Sequence, residues 1–528
     1  MSIIVKQLSY THPDREILFK DISFSVQENK KAALIGNNGS GKSTLLQIIA
    51  GELSPTTGEI VHSSQPYYVP QHFGQYSDYT VATALQIDNK LKALHNILAG
   101  DASAKNFSVL DDDWTIEERA TAALSSWGLE HISLSQTLEN LSGGEKTKVF
   151  LAGITVHEPR NILLDEPTNH LDSLYREKVY ELIGASRSTI LVVSHDRHLL
   201  NLLTEIYELD KNNVVYYAGN YDFYKLEKEQ MITTLQNKLE EQQKQLRFAK
   251  KTAIESLERK QKHEVRGKKL TAQKGIGKME ANRLQSKAEK SGSKLKETHA
   301  DKIGDISQTM SEIRKKIPDI KAMKVDFNTS SLHTGKILVD CKNLKYHYEN
   351  TRLWDQELDF QIKSGDRIAI KGKNGSGKTT LIKLITGELS PIDGNLSKAD
   401  FTYVYLDQEY SIINNNLSVL EQILKYSNGF EDHEIKTILN RFLFPYETWD
   451  KPCSKLSGGE KMKLALSCLM VSANTPDMFI LDEPTNNIDI HNIEILTSTI
   501  KDYGGTVLVV SHDDYFLEQI GVDKVIQL

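Results

Sequence analysis

Two eight-residue segments of this chain have the composition of a loop that binds phosphate groups. Both fit the pattern G-x-x-x-x-G-K-[ST], and the second begins 336 residues after the first. They consist of Gly36, Asn37, Asn38, Gly39, Ser40, Gly41, Lys42 and Ser43, and of Gly372, Lys373, Asn374, Gly375, Ser376, Gly377, Lys378 and Thr379. Glycines let backbone N–H groups close around an anion, the lysine adds positive charge beside the β- and γ-phosphates, and the last hydroxyl can ligate Mg²⁺. The chain therefore carries two candidate nucleoside-triphosphate sites.

Each loop lies between a short apolar run and a run with helical spacing, which is the strand, loop and helix order that the motif requires. Thr44 and Thr380 follow the two loops directly, and we include them among the candidate nucleotide ligands. The repeat extends further, because Gly-Glu-Leu-Ser-Pro begins 15 residues after the first glycine of both loops. We interpret the chain as carrying a duplicated α/β domain.

Two further apolar runs each end in a pair of carboxylates followed by proline. At the end of a buried strand, such a pair places one carboxylate beside a metal ion and the next beside a water molecule. We expect Asp165 and Asp482 to ligate Mg²⁺, and Glu166 and Glu483 to act as general bases on that water. Acidic pairs before proline also form ordinary turns, but their position downstream of a phosphate loop in both halves favours the catalytic interpretation.

The sequence Leu-Ser-Gly-Gly-Glu stands between these motifs in each half, at residues 141–145 and 456–460. A serine that caps a helix, followed by exposed N–H donors, can bind a phosphate group that arrives from outside. Taken alone, the segment predicts only a capped helix start.

The ordered set of motifs, present twice, resembles the ATP-binding cassette superfamily. The resemblance adds Q-loop glutamines at Gln71 and Gln408, and D-loops that contain Asp172 and Asp489. It also implies that His195 and His512, each 29 residues past its glutamate, are catalytic switch histidines. The glutamines are expected to contact both nucleotide and Mg²⁺.

The resemblance further implies that an aromatic residue stacks on adenine in each half. Tyr10 and Tyr346 each precede their phosphate loop by 26 residues and are the candidates. Ordinary aromatic residues of the core are the alternative interpretation of both.

The cassettes of this superfamily face each other head to tail, so that each ATP lies between the phosphate loop of one and the signature of the other. Here Ser457 and Gly459 are implied to complete the site of Lys42. Ser142 and Gly144 are implied to complete the site of Lys378, and because neither site lacks a lysine, glutamate or histidine, both are predicted to hydrolyse ATP with Mg²⁺. The expected state is a monomer whose two cassettes pair within one chain.

The composition, 39% hydrophobic and 26% charged over 528 residues, is that of an ordinary soluble protein with room for two domains and a connector. No run approaches the 18 apolar residues needed to span a bilayer, and the first residues lack a signal-peptide layout, so we expect a cytoplasmic protein. The three cysteines include no C-x-x-C pair and support neither a disulfide framework nor a zinc site.

The segment between the cassettes is too long for a passive linker. We place the first nucleotide-binding domain at residues 1–222, with a short insertion at about 79–114 that is either an arm or an ordinary loop, and the second at 336–528. Residues 223–335 carry two apolar stripes with helical spacing, which predict an antiparallel helical hairpin. The predicted fold is therefore two P-loop NTPase domains in tandem, joined by a long α-helical hairpin, with Gly267, Gly275 and Gly277 breaking the helix at its tip.

Charge is concentrated at that tip. Residues 247–290 contain 14 Lys and Arg against 5 Asp and Glu, whereas the whole chain has a net charge of −7. A solvated helical face is one interpretation, and a surface that binds a polyanion is the other.

Tandem cassettes with a long charged helical connector resemble the F subfamily of ATP-binding cassette proteins. Members bind the ribosome at the tRNA exit site and extend the hairpin toward the peptidyl-transferase centre and P-site tRNA, as translation factors or as protectors against antibiotics. The resemblance therefore implies large-subunit rRNA and P-site tRNA as partners. The ATP-binding subunit of a transporter with a separate membrane protein is one alternative, and it leaves the basic hairpin without an explanation. A DNA-repair or chromosome ATPase is the other, and the missing zinc-type cysteines and a connector too short for a long coiled-coil arm count against it.

Overall fold

The computed structural model describes residues 2–528 except 14, 16, 72, 211–212, 274–277, 317–331, 349–350, 428, 473–474 and 487, and the side chains of 264, 267–273, 278–292, 295, 315–316 and 351. The chain forms two compact units. Met1–Asp222 and Lys321–Leu528 make up the first, which contains both cassettes, and Phe223–Ile320 makes up the second.

Two sheets form the first cassette. The antiparallel sheet has the order β2-β1-β4, and the larger sheet has the order β5-β6-β7-β3-β8-β9, in which only the β8–β9 pair is antiparallel. The strands are β1 Ile3–Thr11, β2 Ile17–Val26, β3 Lys31–Ile35, β4 Thr57–His62, β5 Tyr67–Val69, β6 Asn161–Asp165, β7 Thr189–Val193, β8 Glu205–Asp210 and β9 Asn213–Tyr217.

The second cassette repeats this plan. It has an antiparallel sheet of order β13-β10-β15, a small β11–β12 hairpin, and a parallel sheet of order β16-β17-β18-β14-β19. The strands are β10 Ile337–Lys345, β11 His347–Tyr348, β12 Thr351–Arg352, β13 Leu358–Lys363, β14 Arg367–Lys371, β15 Asp393–Lys398, β16 Tyr403–Leu406, β17 Met478–Asp482, β18 Thr506–Val510 and β19 Lys524–Gln527.

Helices cover the sheets of both cassettes and form the connector. Those of the first cassette are α1 Lys42–Ala50, α2 Val81–Ala84, α3 Asp88–Leu98, α4 Ala104–Leu110, α5 Ile116–Ser126, α6 Gly143–His157, α7 Ser173–Ala185 and α8 Arg197–Leu202. The connector is formed by α9 Tyr221–Gln273 and α10 Lys278–Lys316. Those of the second cassette are α11 Lys378–Thr386, α12 Val419–Leu424, α13 Asp432–Arg441, α14 Gly458–Val471, α15 Ile490–Asp502 and α16 Asp514–Gln519.

Parallel strand order brings the three chemical motifs of each cassette to one sheet edge. Strands β6, β7 and β3 are neighbours, and their carboxyl ends lead into the acidic pair, the histidine and the phosphate loop. Strands β17, β18 and β14 have the same arrangement in the second cassette. All five residues of β6, β7, β17 and β18 are buried, so these strands form a rigid support. The predicted tandem α/β fold is confirmed.

The second unit is helical. Ala249, Ala253 and Met310 are buried in it, whereas Met231 of the predicted stripe is half exposed. The predicted helix break at Gly267 is wrong, because α9 continues through it to Gln273. One glycine costs a helix only about 1 kcal/mol, which a helix of 53 residues tolerates. Gly275 and Gly277 lie outside the described residues.

Within the described part of the chain, no helix combines the length and the apolar character that crossing a bilayer requires.

Candidate functional site

The two phosphate loops have the same internal geometry. Lys42 begins α1, and its Nζ donates hydrogen bonds to the carbonyl oxygens of Gly36 at 2.8 Å and Asn37 at 3.1 Å. Nζ of Lys378, at the start of α11, donates to Gly372 at 2.8 Å and Lys373 at 3.2 Å. Each ammonium group is therefore held across the mouth of its loop, where an anion at the helix N-terminus would meet it.

The loops also have the shape of an anion cradle. Gly41 and Gly377 precede the helices with φ of 94° and 90°, and a Cβ at either position would lie within 2.6 Å of a leucine side chain. The hydroxyl oxygens of Ser40 and Ser376 are buried without a hydrogen-bond partner among the described residues. Buried hydroxyls normally have partners, so this pair fits a site that a phosphate group completes.

A strained backbone presents each candidate general base. Glu166 and Glu483 follow β6 and β17 with φ of 50° and 49°, and their N–H groups donate to Val193 and Val510, each at 2.8 Å. Left-handed φ is costly for a residue with a side chain, and such strain is concentrated at functional sites. The turn aims both carboxylates at the histidine that follows the neighbouring strand.

In the first cassette, His195 contacts Glu166 in two ways. The backbone N–H of His195 donates to Oε2 of Glu166 at 3.3 Å, and its Nε2 lies 3.4 Å from Oε1. In the second cassette, Nε2 of His512 lies 3.5 Å from Oε1 of Glu483 and 3.5 Å from Nζ of Lys378. The predicted base, histidine and lysine are thus adjacent in both halves.

Burial controls the protonation of these groups. It raises the pKa of Glu166 to about 8, helped by the neighbouring Asp165, and that of Glu483 to about 7. Burial also lowers the pKa of His195 well below its usual value and that of His512 to about 4, so both imidazoles are neutral. A carboxyl group whose pKa lies near the working pH is suited to exchange a proton with water.

The candidate metal ligands lie beside the loops. The hydroxyl of Tyr68 donates to Oδ2 of Asp165 at 3.4 Å, and that of Tyr405 donates to Oδ2 of Asp482 at 2.9 Å. Burial raises the pKa of Asp482, and hydrogen bonds from Tyr405 and Thr379 oppose the increase. Thr379 and Asp482 therefore meet as the motif predicts.

Both signature serines cap their helices. Ser142 Oγ accepts from the N–H of Glu145 at 3.3 Å, and Glu145 Oε2 accepts from the N–H of Ser142 at 2.8 Å. Ser457 and Glu460 form the same capping box with the same two distances. The predicted capped helix starts are confirmed.

Direct contacts join the cassettes at both D-loops. The N–H of Asn38, in the first phosphate loop, donates to Oδ2 of Asp489 at 3.1 Å. The side chain of Asn374, in the second loop, donates to the carbonyl oxygen of His170 at 2.9 Å. Each phosphate loop is therefore bound to the D-loop of the opposite cassette.

A cavity of about 1450 Å³ lies between the phosphate loop of the first cassette and the signature of the second. Its lining includes Gly39, Gly41, Lys42, Ser43, Thr44, Gln71, Glu166, His195, Gln408, Leu456, Ser457, Gly458 and Asn486. We call the Lys42 centre site 1 and the Lys378 centre site 2. Gln408, predicted for site 2, also lies on the wall of this cavity.

The aromatic candidates lie one layer behind the site. The ring of Tyr10 packs against His12 at 5.4 Å and Phe19 at 6.3 Å between centroids, and it is His12 that lines the cavity. Tyr346 packs at 5.2 Å against Tyr348, whose hydroxyl lies 3.2 Å from Oγ1 of Thr380.

Sequence reasoning missed the equivalent pair His12 and Tyr348. Both lie two residues beyond the predicted tyrosines. A search for ring-bearing residues at the same offset in both repeats could have found them.

Comparison with known proteins agrees with this arrangement. The family model described as "ABC transporter" matches residues 19–169 and 356–486. The chain is 30% identical to "Putative ATP-binding protein YdiF" of Bacillus subtilis, over 100% of this chain and 80% of that protein. It is also 30% identical to "ABC transporter F family member 5" of Arabidopsis thaliana, over 97% of this chain and 72% of that protein.

One similar solved structure is an archaeal ribosome recycling factor in complex with the archaeal ribosomal stalk protein. It superposes with a TM-score of 0.59 and 19% identity, covering 99% of this chain and 87% of that one, and at this identity it shows the fold alone. Together with the paired phosphate loops, signatures and acidic pairs, the sequence relatives place the chain in the F subfamily of ATP-binding cassette proteins, and it is an ATP hydrolase.

Proposed function

We propose that this ATPase binds the ribosome at the tRNA exit site in its ATP-bound, closed state and leaves after hydrolysis. In the bound state, the hairpin extends toward the peptidyl-transferase centre and P-site tRNA. The protein acts in the cytoplasm, either in regulating translation or in protecting ribosomes against antibiotics. The observation that carries the proposal is the pair of helices α9 and α10 between two ATP-hydrolysing cassettes.

The lengths of the two helices suit this role. They contain 53 and 39 residues. At about 1.5 Å per residue, straight helices of this size are about 80 and 60 Å long, which is enough to reach deep into a large particle.

Charge on the hairpin suits an RNA partner. Six basic residues near the predicted tip are solvent-exposed, namely Arg247, Lys250, Lys251, Arg259, Lys262 and Arg266. Exposed lysine and arginine bind the phosphates of folded RNA without reading its sequence. The same partner is favoured by two proteins of similar fold, an archaeal ribosome recycling factor and a protein solved in a ribosome-bound complex.

The proposed closure of the two cassettes on each other uses groups from both of them at each ATP site. ATP at site 1 lies between Lys42 and the helix start capped by Ser457, so its γ-phosphate joins the two cassettes. At site 2, Lys378 and the Ser142 cap have the same relation. Gly144 and Gly459 have no side chain, so the neighbouring chain can approach each signature closely. We propose His12 and Tyr348, backed by Tyr10 and Tyr346, as the contacts of the adenine ring.

The residues at each centre fit Mg²⁺. Hydroxyl and carboxylate oxygens are the ligands that this cation prefers. The candidates are Ser43, Gln71 and Asp165 at site 1, and Thr379, Gln408 and Asp482 at site 2. Bound Mg²⁺ would neutralise charge on the β- and γ-phosphates.

Hydrolysis then depends on the strained glutamates. Glu166 and Glu483 orient water and accept its proton, and the neutral histidines hold these carboxylates in line. Loss of the γ-phosphate contact removes the link between the cassettes, which separate and release the ribosome.

The first test uses Glu166→Gln, Glu483→Gln together. Because general-base catalysis contributes about 10²- to 10⁴-fold, we expect ATP turnover to fall by at least about a hundredfold while ATP binding persists. The double variant should co-sediment with ribosomes in ATP and separate from them in ADP. Turnover at the parental rate would reject the catalytic assignment. Absence of ATP-dependent association, or sedimentation with membranes instead, would reject the ribosome as the binding partner.

The second test removes the basic tip. Deletion of residues 268–283 should leave ATP binding intact and abolish the effect on translation, measured both in a cell-free reaction and as growth of a susceptible host against a panel of large-subunit antibiotics. If the deletion protein affected translation as strongly as the parent, the tip would be a solvated loop.

A further inference from the structure

An arginine of the opposite cassette lies beside site 2, and the matched position beside site 1 is an isoleucine. Arg176 lies in the first turns of α7, four residues after the D-loop Asp172 that caps this helix. The equivalent position after Asp489 in α15 is Ile493, which is 1% exposed within the core of the second cassette. The repeat therefore conserves the cap and not the cation.

The surroundings of Arg176 hold its side chain in place. It is 9% exposed, and its Nε donates to the carbonyl oxygen of Leu171 at 3.0 Å. The preceding residue, His170, accepts from Asn374 at 2.9 Å, and a Cβ on Gly144 would lie 2.8 Å from the carbonyl oxygen of His170. Arg176 is thus hydrogen-bonded to a D-loop that lies between the signature of its own cassette and the phosphate loop of site 2.

Arg176 lies close to the catalytic histidine of site 2. Arg176 and His512 line the same cavity of about 330 Å³ between the cassettes. The positive charge of Arg176 acts on both Glu483 and His512, and it assists burial in lowering the pKa of His512. At site 1, by contrast, the largest charge effects on Glu166 come from Asp165, Lys42 and Asp196, all of its own cassette.

We propose that Arg176 is a positioning residue of site 2, where its charge and its bond to the D-loop keep Glu483 and His512 aligned for attack by water. The matched position at site 1 is Ile493, which carries no charge. The two ATP sites therefore differ in how closely hydrolysis depends on the opposite cassette. This inference rests on the proposed role of Glu483 as the base.

Site-isolated proteins test the proposal. In full-length Glu166→Gln only site 2 keeps its glutamate, and in Glu483→Gln only site 1 does. Arg176→Gln keeps a donor for Leu171 without the charge, and Arg176→Lys keeps the charge. In Glu166→Gln, we expect Arg176→Gln to lower kcat about tenfold with KM for ATP changed less than about twofold, and Arg176→Lys to recover most of the loss.

The same substitutions in Glu483→Gln should change kcat by less than about twofold. Ile493→Val is the control at the matched position and should be silent in both proteins. The proposal would be overturned if Arg176→Gln lowered kcat equally in both proteins, if Arg176→Gln and Arg176→Lys had the same effect, or if only KM for ATP rose.

A single-turnover experiment covers the case in which one isolated site does not cycle. With both glutamates present, Arg176→Gln should slow hydrolysis of one of the two bound ATP molecules and leave the other unchanged. Uniform rates for both would contradict the inference. Activity in the double glutamine variant would instead reject Glu483 as the base, so the two failures are distinguishable.

Discussion

The two cassettes have the same catalytic geometry and different interfaces. Each places a lysine, a strained glutamate and a neutral histidine at one sheet edge, with nearly equal distances. Yet Arg176 matches Ile493, and the buried Arg197 matches Asp514, whose side chain is 81% exposed. The two halves thus share the lysine, glutamate and histidine of each centre and differ at two positions beside the other cassette.

The largest expected difference between the sites lies at the signature glycines. An added Cβ at Gly144 would lie 2.8 Å from the backbone oxygen of His170, whereas at Gly459 it would meet the side chain of Asn492. A side chain can turn away and a backbone oxygen cannot. Because misplacement of a site by about 1 Å costs up to about a hundredfold, Gly144→Ala should reduce turnover at site 2 at least tenfold, and Gly459→Ala should reduce site 1 much less.

These variants are measured in the site-isolated glutamine backgrounds. Gly143→Ala is the control, since its Cβ would lie 3.4 Å from the His170 ring, an ordinary contact. Equal losses of ATP turnover for Gly144→Ala and Gly459→Ala would contradict the expected difference between the two sites.

The next contrast is between Arg197 and Asp514. Arg197 is 2% exposed, donates to Gln519 of the second cassette at 3.2 Å, and lies 3.8 Å from Glu494 and 4.6 Å from the ring of Tyr515. Asp514 pairs with Lys371 at 2.6 Å in solvent.

Removal of a buried partner leaves other polar groups unsatisfied, whereas an exposed ion pair contributes little. Arg197→Ala should therefore lower the melting temperature by several degrees, and Asp514→Ala should hardly change it. Differential scanning calorimetry makes this measurement, and a larger effect at Asp514 would contradict the proposed difference between the interfaces.

The smallest expected effect is a difference in pH dependence. A carboxyl group with a raised pKa in the folded protein contributes stability at low pH that is lost as the pH rises toward the folded value. From the ordinary value of 4.5, this loss ends at about 7 for Glu483 and about 8 for Glu166. Because glutamine does not ionise, the Glu→Gln variant at either position does not lose stability in this way as the pH rises.

Without nucleotide, the melting temperature of each variant should therefore exceed that of the parent by an amount that grows with pH. Between pH 7 and 8 the gain should continue for Glu166→Gln and be level for Glu483→Gln. Identical profiles would show that the two carboxyl groups have the same environment.

Local motifs predicted local structure well. The helices begin at Lys42 and Lys378 and the acidic pairs end buried strands, because a few neighbouring residues determine these features. The contact from Asn38 to Asp489 spans 451 residues, and no spacing rule specifies it. Only the family resemblance indicated that the cassettes face each other.

The sequence interpretation failed where a local tendency was weaker than its context. Gly267 lies within α9 because the hydrogen bonds of a long helix outweigh the cost of one glycine. The tyrosines were chosen by residue type and spacing, but His12, just past the end of β1, is the ring that lines the cavity in the first cassette. Arg176 has no motif, and its relevance depends on the opposite cassette.

Both cassettes line the cavity of site 1, and this affects how the site depends on protein concentration. Lys42 and Ser457 belong to one polypeptide, so their meeting is a unimolecular step governed by an effective local concentration rather than by the amount of protein present. Dilution does not weaken such a site. A cell that holds only a few copies of the protein would retain the full capacity of each molecule to close on ATP.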